Sequence, residues 1–234
     1  MIHRFETVSS TMTEASALAA TGAPHGTVVV AERQTAGIGR HGHSWHSAAS
    51  DGLYLSIVLR LPEATPAVTL ELGLAAQVAI DDLAQVSLDL RWPNDLMLNE
   101  RKVGGILVQA ESGALIAGIG VNVNQSSFPD DLAAIATSVR IETGQQYSKE
   151  SLMNRIVAES LRFASLPETE VLRRFTQAST WVSGKSVIID DRIEGVTAGL
   201  DDNGFLLVQT ASGVETILAG GVRARDRIRG DTQR

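Results

Sequence analysis

Thr27-Val28-Val29-Val30-Ala31 leads toward Ala36-Gly37-Ile38-Gly39-Arg40-His41-Gly42-His43-Ser44-Trp45, and Leu53-Tyr54-Leu55-Ser56-Ile57-Val58-Leu59 follows. The two apolar runs read as buried strands, so the glycine-rich stretch is the loop between them. Gly37, Gly39 and Gly42 spell G-x-G-x-x-G, and the fold turns on whether this is a dinucleotide fingerprint. Such a fingerprint needs a helix opening directly after the glycines, because the pyrophosphate rests on the helix N-terminus. Instead Ser44-Trp45-His46-Ser47-Ala48-Ala49-Ser50-Asp51-Gly52 shows no apolar 3.6-residue period and ends in a glycine before the next strand. The context fails the test. A long glycine-rich loop between strands still offers bare backbone N–H groups and Arg40 to an anion. Loops of this length inside a domain are usually functional; the alternative is a surface loop without a role.

Upstream, a short strand is expected near residues 2–5, followed by Ser9-Ser10-Thr11-Met12-Thr13-Glu14-Ala15. Ser10 or Thr11 caps a helix that continues through 15–20 to Gly22, and capping is the first reading of both residues. Downstream, Thr65-Pro66 starts a second helix with proline at its first position. Val68, Leu72, Ala75, Ala76, Ala79, Ile80 and Leu83 recur on one face of it.

Leu88-Asp89-Leu90-Arg91-Trp92-Pro93-Asn94-Asp95 reads as a strand ending at a proline turn. Leu96-Met97-Leu98 and Val103-Gly104-Gly105-Ile106-Leu107-Val108-Gln109 then form a hairpin around the polar turn Asn99-Glu100-Arg101-Lys102. Ser112-Gly113 turns the chain into a further strand over 114–123. Several strands in succession after one helix predict an α+β fold: a mixed, largely antiparallel sheet with helices packed on one side.

A short helix is expected near 131–136. An amphipathic helix over 148–164 should face Leu152, Met153, Ile156, Val157 and Leu161 inward, and another helix runs near 168–176 after Pro167. From about Gly184 the pattern changes to five short strands: 187–189, 193–200, 205–208, 215–218 and 222–225. Asp201-Asp202-Asn203-Gly204 and Ala211-Ser212-Gly213 supply turns between them. These predict a small SH3-like β-barrel as a second domain over 183–234, after a first domain over 1–182.

The net charge of −7 over 234 residues excludes a protein that holds nucleic acid by bulk electrostatics. It leaves room for a small anion held by a few local cations. With no cysteine there is no disulfide, thiol nucleophile or thiolate metal site. The N-terminus does not read as a signal peptide and no apolar run spans a membrane, so a cytoplasmic protein is expected. His41, His43 and His46 raise the question of a metal site, but no carboxylate or thiolate joins them in sequence, and none is expected.

Asn94 and Asp95 stand at a strand end, and Lys102 stands beside Gly104 and Gly105, where a ligand or another backbone can approach closely. An amide, a carboxylate and a lysine suit ribose or amine hydrogen bonding and phosphate neutralisation. The plainer alternative is an Asx turn after Pro93 and a solvated hairpin charge.

Four segments occur here in one order: the A-G-x-G-R-x-G-x-x-W loop after Glu32-Arg33-Gln34-Thr35; Trp92-Pro93-Asn94-Asp95; Arg101-Lys102-Val103-Gly104-Gly105-Ile106-Leu107; and Gly118-Ile119-Gly120-Val121-Asn122-Val123-Asn124. Together they resemble the biotin–protein ligases, over nearly the whole chain. The resemblance implies a class II synthetase-like catalytic fold and the short form of the enzyme, without an N-terminal DNA-binding module. It implies formation of biotinyl-5′-AMP from biotin and Mg²⁺-ATP, then transfer of biotin to a lysine of a biotin carboxyl carrier protein, as in acetyl-CoA carboxylase.

By resemblance, Arg40 and Lys102 are catalytic. Ser10, Thr11, Gln34, Gly37, Gly39, Arg40, Lys102, Gly104 and Gly105 contact biotin. Arg40, Trp45, Asn94, Asp95, Lys102, Asn122 and Arg225 contact ATP or the adenylate. Ile38 and His43 replace basic residues common in the family, and Met12 stands where asparagine is common. The alternatives are a lipoate–protein ligase-like transferase and a non-catalytic biotin- or adenylate-binding protein. An edge strand is available for a homodimer or for the carrier.

Overall fold

In a computed structural model, residues 1–47, 51–61 and 65–225 are described; Ala48, Ala49, Ser50 and the end of the expected second domain, 226–234, lie outside them. The chain runs β1 (Ile2–Val8), α1 (Thr11–Ala20), β2 (Thr27–Gln34), β3 (Gly52–Leu59), α2 (Ala67–Ala84), β4 (Asp89–Arg91), β5 (Asp95–Leu98), β6 (Arg101–Glu111) and β7 (Ala114–Asn122). Then come α3 (Asp130–Ala133), α4 (Val139–Thr143), α5 (Lys149–Phe163), α6 (Glu168–Ala178), β8 (Ser183–Ile189), β9 (Ile193–Leu200), β10 (Leu206–Thr210), β11 (Gly213–Ile217) and β12 (Val222–Ala224).

The first seven strands form a mixed sheet in the order β1-β2-β3-β7-β6-β5-β4. Only β1 and β2 pair in parallel; the other neighbours are antiparallel. Two short turns fix the hairpins. Asn99 and Glu100 both take positive φ, as do Ser112 and Gly113, the backbone that matches the twist of paired strands. The first turn is therefore two residues long. Arg101 and Lys102, expected in the turn, already belong to β6, because the ladder claims their backbone: Leu98 pairs with Arg101 and Met97 with Lys102.

Alternation along the central strands separates two apolar faces. Val28, Val30, Leu55, Ile57, Ala117 and Ile119 join the main core with α2, α5 and α6. Val29, Val58 and Ile116 point the other way and meet Met12, Ala15 and Ala19 of α1. The expectation of helices on one side is thus corrected: α1 covers the opposite face. The near-continuous apolar runs are the reason, since strands that read that way are buried on both faces. Because α1 covers only one end of its face, the rest of that face is free to form a site.

On α5, Leu152, Met153 and Ile156 are buried as expected, but Leu161 is exposed and Ser160 and Phe163 are buried instead. The short α4 was not foreseen; Ser138 caps it by accepting the Ile141 N–H. The C-terminal strands form an antiparallel sheet in the order β11-β10-β9-β8-β12. Its two edge strands do not pair among the described residues, so the expected closed barrel is not seen there. Its inner residues Val187, Leu206 and Val208 belong to the same apolar cluster as the main core. No helix among the described residues is long and apolar enough to cross a membrane.

One buried carboxyl sits against this core. Burial, with Glu168 nearby, pushes Glu71 of α2 up to about 7. A raised folded-state pKa stabilises the fold fully below the ordinary carboxyl value, and that contribution is lost as pH rises through about 7. We predict that Glu71→Gln is more stable than wild type by about 2–3 kcal/mol at pH 8, with the difference vanishing near pH 4. Denaturant titrations at the two pH values check this.

Candidate active site

The site begins with one extra residue in β6. Leu96 pairs with Gly104 and Met97 with Lys102, so Val103 is a bulge. Residues 102 and 105 are an odd number apart and would point to opposite faces of a regular strand. With the bulge they share one: a Cβ on Gly105 would lie 3.2 Å from Lys102 Cε, while Val103 is buried in the main core. Gly104 turns inward as well. Its Cβ would lie 2.7 Å from Leu96 Cδ1, so it packs the core and is not brought into the cavity.

Gly105 and Gly120, on neighbouring strands, make a bare floor on which the Trp45 indole lies. A Cβ at Gly120 would stand 2.6 Å from Trp45 Cε2, and one at Gly105 would stand 3.2 Å from Cζ3. Beyond them Met12 Sδ lies over Gly118. Between Trp45 and Met12 a cavity of about 60 Å³ remains, reaching from Arg40, Asn94 and Lys102 at one end to Thr11 and Gln34 at the other. The Trp45 Nε1–H is buried there without a hydrogen-bond partner among the described residues.

The cationic end is tightly built. Arg40 donates to Asn94 Oδ1 at 3.0 Å, and Asn94 Nδ2 donates to the Ile106 carbonyl at 3.1 Å. Lys102 Nζ lies 2.5 Å from Asp95 Oδ1 and 5.6 Å above the Trp45 ring. Arg91 donates to Asp95 Oδ2 through NH2 at 2.6 Å and Nε at 3.1 Å. Burial opposes ionisation of Asp95, but Lys102 and Arg91 outweigh it and hold the carboxyl below its ordinary range. Neither a simple Asx turn nor a solvated hairpin charge describes these residues.

At the other end Ser10 is the helix cap, accepting the Met12 N–H at 3.2 Å, and does not line the cavity. Thr11 does. Its hydroxyl accepts from Ser56 Oγ at 2.8 Å and donates to Gln34 Oε1 at 3.2 Å. Gln34 Oε1 also takes the Thr11 N–H, and its Nε2 donates to Ser47 Oγ. Tyr54 lines the same end; burial, then Asp51, pushes its phenol up, so it stays neutral.

The glycine loop is folded on itself. Gly39 N–H donates to the His43 carbonyl at 2.7 Å and Trp45 N–H to the Gly37 carbonyl at 2.8 Å. Gly37 lines a second, larger cavity of about 580 Å³ on the far side of Trp45, with Arg33, Asn122, Phe128, Pro129 and Leu132. Gln34, Trp45 and Lys102 border both cavities. Asn122 is buried and donates to the Thr137 carbonyl at 3.0 Å, which ties α4 to the sheet. Arg225 is brought to neither cavity; it is exposed and pairs with Glu194 at 3.0 Å. Sequence reasoning missed Arg91 and Tyr54, whose strand patterns signal only packing. Among the described residues no group of three or more His, Asp or Glu side chains is placed to hold a metal.

Residues 4–126 match the model of the biotin/lipoate A/B protein ligase family. The chain belongs to this family. Residues 182–222 match the model of the biotin protein ligase C-terminal domain. This ligase-family chain is 35% identical over 236 residues to the bifunctional ligase/repressor BirA of Bacillus spizizenii, covering 93% of the chain and 72% of the relative. It is 29% identical to the biotin–[acetyl-CoA-carboxylase] ligase of Mycobacterium tuberculosis, over 91% of the chain and 85% of the relative. Its fold is similar to that of the biotin protein ligase from Aquifex aeolicus in complex with biotin and ATP, with a TM-score of 0.85 and 27% identity over 96% and 99% of the two chains.

The bare floor gives a test of how Trp45 is held. We predict that Gly120→Ala costs about 1–3 kcal/mol of stability by overpacking the indole. In a Trp45→Ala background it should cost less than about 0.5 kcal/mol, because the two residues act through one contact. A double-mutant cycle by chemical denaturation checks both numbers.

Proposed function

We propose that this chain is an ATP-dependent biotin–protein ligase that makes biotinyl-5′-AMP and passes biotin to a lysine of the carrier domain of acetyl-CoA carboxylase or a related carboxylase. The observation that carries the reading is that Lys102 and Trp45 border both cavities. A reaction joining two substrates needs a cation where they meet, and Lys102 stands there. The match to a biotin ligase C-terminal domain favours biotin over lipoate.

In the first step a biotin carboxylate oxygen attacks the α-phosphorus of Mg²⁺-ATP, and the bond to the leaving pyrophosphate breaks. Arg40 and Lys102 stabilise the charge on the reacting oxygens, since fixed cations in a partly dry site act strongly on developing charge. Burial pulls Arg40 below its ordinary value while Asp95 and Asp190 support its charge; arginine remains a cation throughout. The carboxylate of biotin lies at this cationic end, and its ring reaches toward Thr11 and Gln34. Ser10 acts behind them as the helix cap, and the backbone of Gly37 and Gly39 shapes the loop beside the acyl phosphate. Trp45, which borders both cavities, covers the adenylate, and the larger cavity takes the nucleoside. Closure of the loop keeps water from the mixed anhydride.

In the second step the carrier lysine nitrogen attacks the acyl carbon and AMP leaves. Asn94 and Asp95 face this event through Arg40 and Lys102. Mg²⁺ enters as the counter-ion of ATP. Residues 1–182 are assigned to the catalytic domain and 183–234 to a smaller SH3-like one; edge strand β1 offers backbone to the carrier or to a second copy. The reaction belongs in the cytoplasm, with ATP and the carboxylases.

Lys102→Ala should fold normally, yet lose adenylation by about 10²–10³-fold, the scale of a lost oxyanion donor. Biotin-dependent pyrophosphate release measures the first step, and the mass gained by a carrier domain measures the second. Wild type that releases no pyrophosphate with biotin, or a Lys102→Ala variant with an unchanged rate, would refute the assignment.

A further inference from the structure

Asp95 is shared between two cations, and only one of them faces the substrates. Lys102 Nζ takes Oδ1, while both Nε and NH2 of Arg91 end on Oδ2. Arg91 lines neither cavity in which Lys102 stands. It is the last residue of β4, and its guanidinium lies 5.2 Å from the centre of the buried Trp181 ring. Strand and aromatic plate together fix its direction.

We infer that Arg91 is a positioning residue for adenylation, neutralising Asp95 from behind so that the charge of Lys102 remains available to the reacting oxygens. The inference rests on the ligase reading above. Were Lys102 the only partner of Asp95, the pair would be neutral and a phosphate would have to compete with the carboxylate for the ammonium. With Arg91 on the second oxygen, the three groups carry one net positive charge, presented by Lys102 alone. Arg40 is not a substitute. Its NH1 is committed to Asn94, and its charge acts on Asp95 and Asp190 from a distance, without an ion pair to either among the described residues. Both side chains of the Arg91–Asp95 pair are mostly covered, at 20% and 16% exposure, so solvent does little of this neutralisation in their stead.

The test compares wild type with Arg91→Lys, Arg91→Met and the double variant Arg91→Met, Asp95→Asn, reading biotin- and Mg²⁺-ATP-dependent pyrophosphate release. Arg91→Met should lower kcat at least tenfold and Arg91→Lys less than threefold. The double variant should recover at least threefold over Arg91→Met, because removing the unbalanced carboxylate restores the net charge. A merely structural role predicts no recovery. Arg91→Met within threefold of wild type, Arg91→Lys as impaired as Arg91→Met, or a double variant no better than Arg91→Met each overturns the inference. Should Arg91→Met fail to show a native thermal transition, Arg91→Gln takes its place with the same expectations. Calorimetric Mg²⁺-ATP binding to the same proteins provides a second readout. If wild type releases no pyrophosphate, the ligase reading falls, and the same rank order in Mg²⁺-ATP affinity still decides the role of Arg91.

Discussion

Lys102 and Gly105 lie on one face of the sheet because Val103 is inserted between them. Much of the site depends on that offset. It lowers Lys102 onto Asp95, and it turns a residue without a side chain toward the indole of Trp45. It also sends Val103 into the main core, where burial of an apolar side chain stabilises by roughly 1.5–3 kcal/mol and holds the irregularity in register. A regular strand of the same sequence would place either the cation or the bare floor on the wrong face.

The periodic parts of the fold were legible. Apolar runs located the strands of the large sheet, and the polar turns Asn99-Glu100-Arg101-Lys102 and Ser112-Gly113 marked its hairpins. Three things were not readable locally. Arg101 and Lys102 have turn-like polarity, yet the ladder to β5 claims their backbone. The face covered by α1 depends on which side of β2, β3 and β7 its alanines meet, and that is a tertiary fact. Closure of the small sheet depends on how its edge strands are placed, which strand patterns do not encode.

Within the site, the residue types pointed to the chemistry more reliably than to each residue's task. Arg40, Asn94, Asp95 and Lys102 converge, and Thr11 and Gln34 stand together at the opposite end. Ser10 and Gly104 are placed in supporting positions, a cap and a core contact. Each has a local polarity or smallness that suits a ligand equally well, so spacing alone cannot separate the two uses. Arg91 was overlooked for the converse reason. It ends a short strand, and only the fold brings it behind Asp95.

The apolar cluster passes without a break from the large sheet into the small one, joining Leu90 and Phe175 to Trp181, Val182 and Leu206. The Trp92 indole N–H, next to the Asn94-Asp95 corner, donates to the carbonyl of Gly204 at 2.9 Å. The two family models that divide the sequence therefore do not divide the folded molecule into separable parts. A chain cut near residue 182 would leave the wall of its own interior behind and bare the plate that holds Arg91. The C-terminal segment is in this sense less an appendage than a piece of scaffolding built into the corner that carries Asn94 and Asp95.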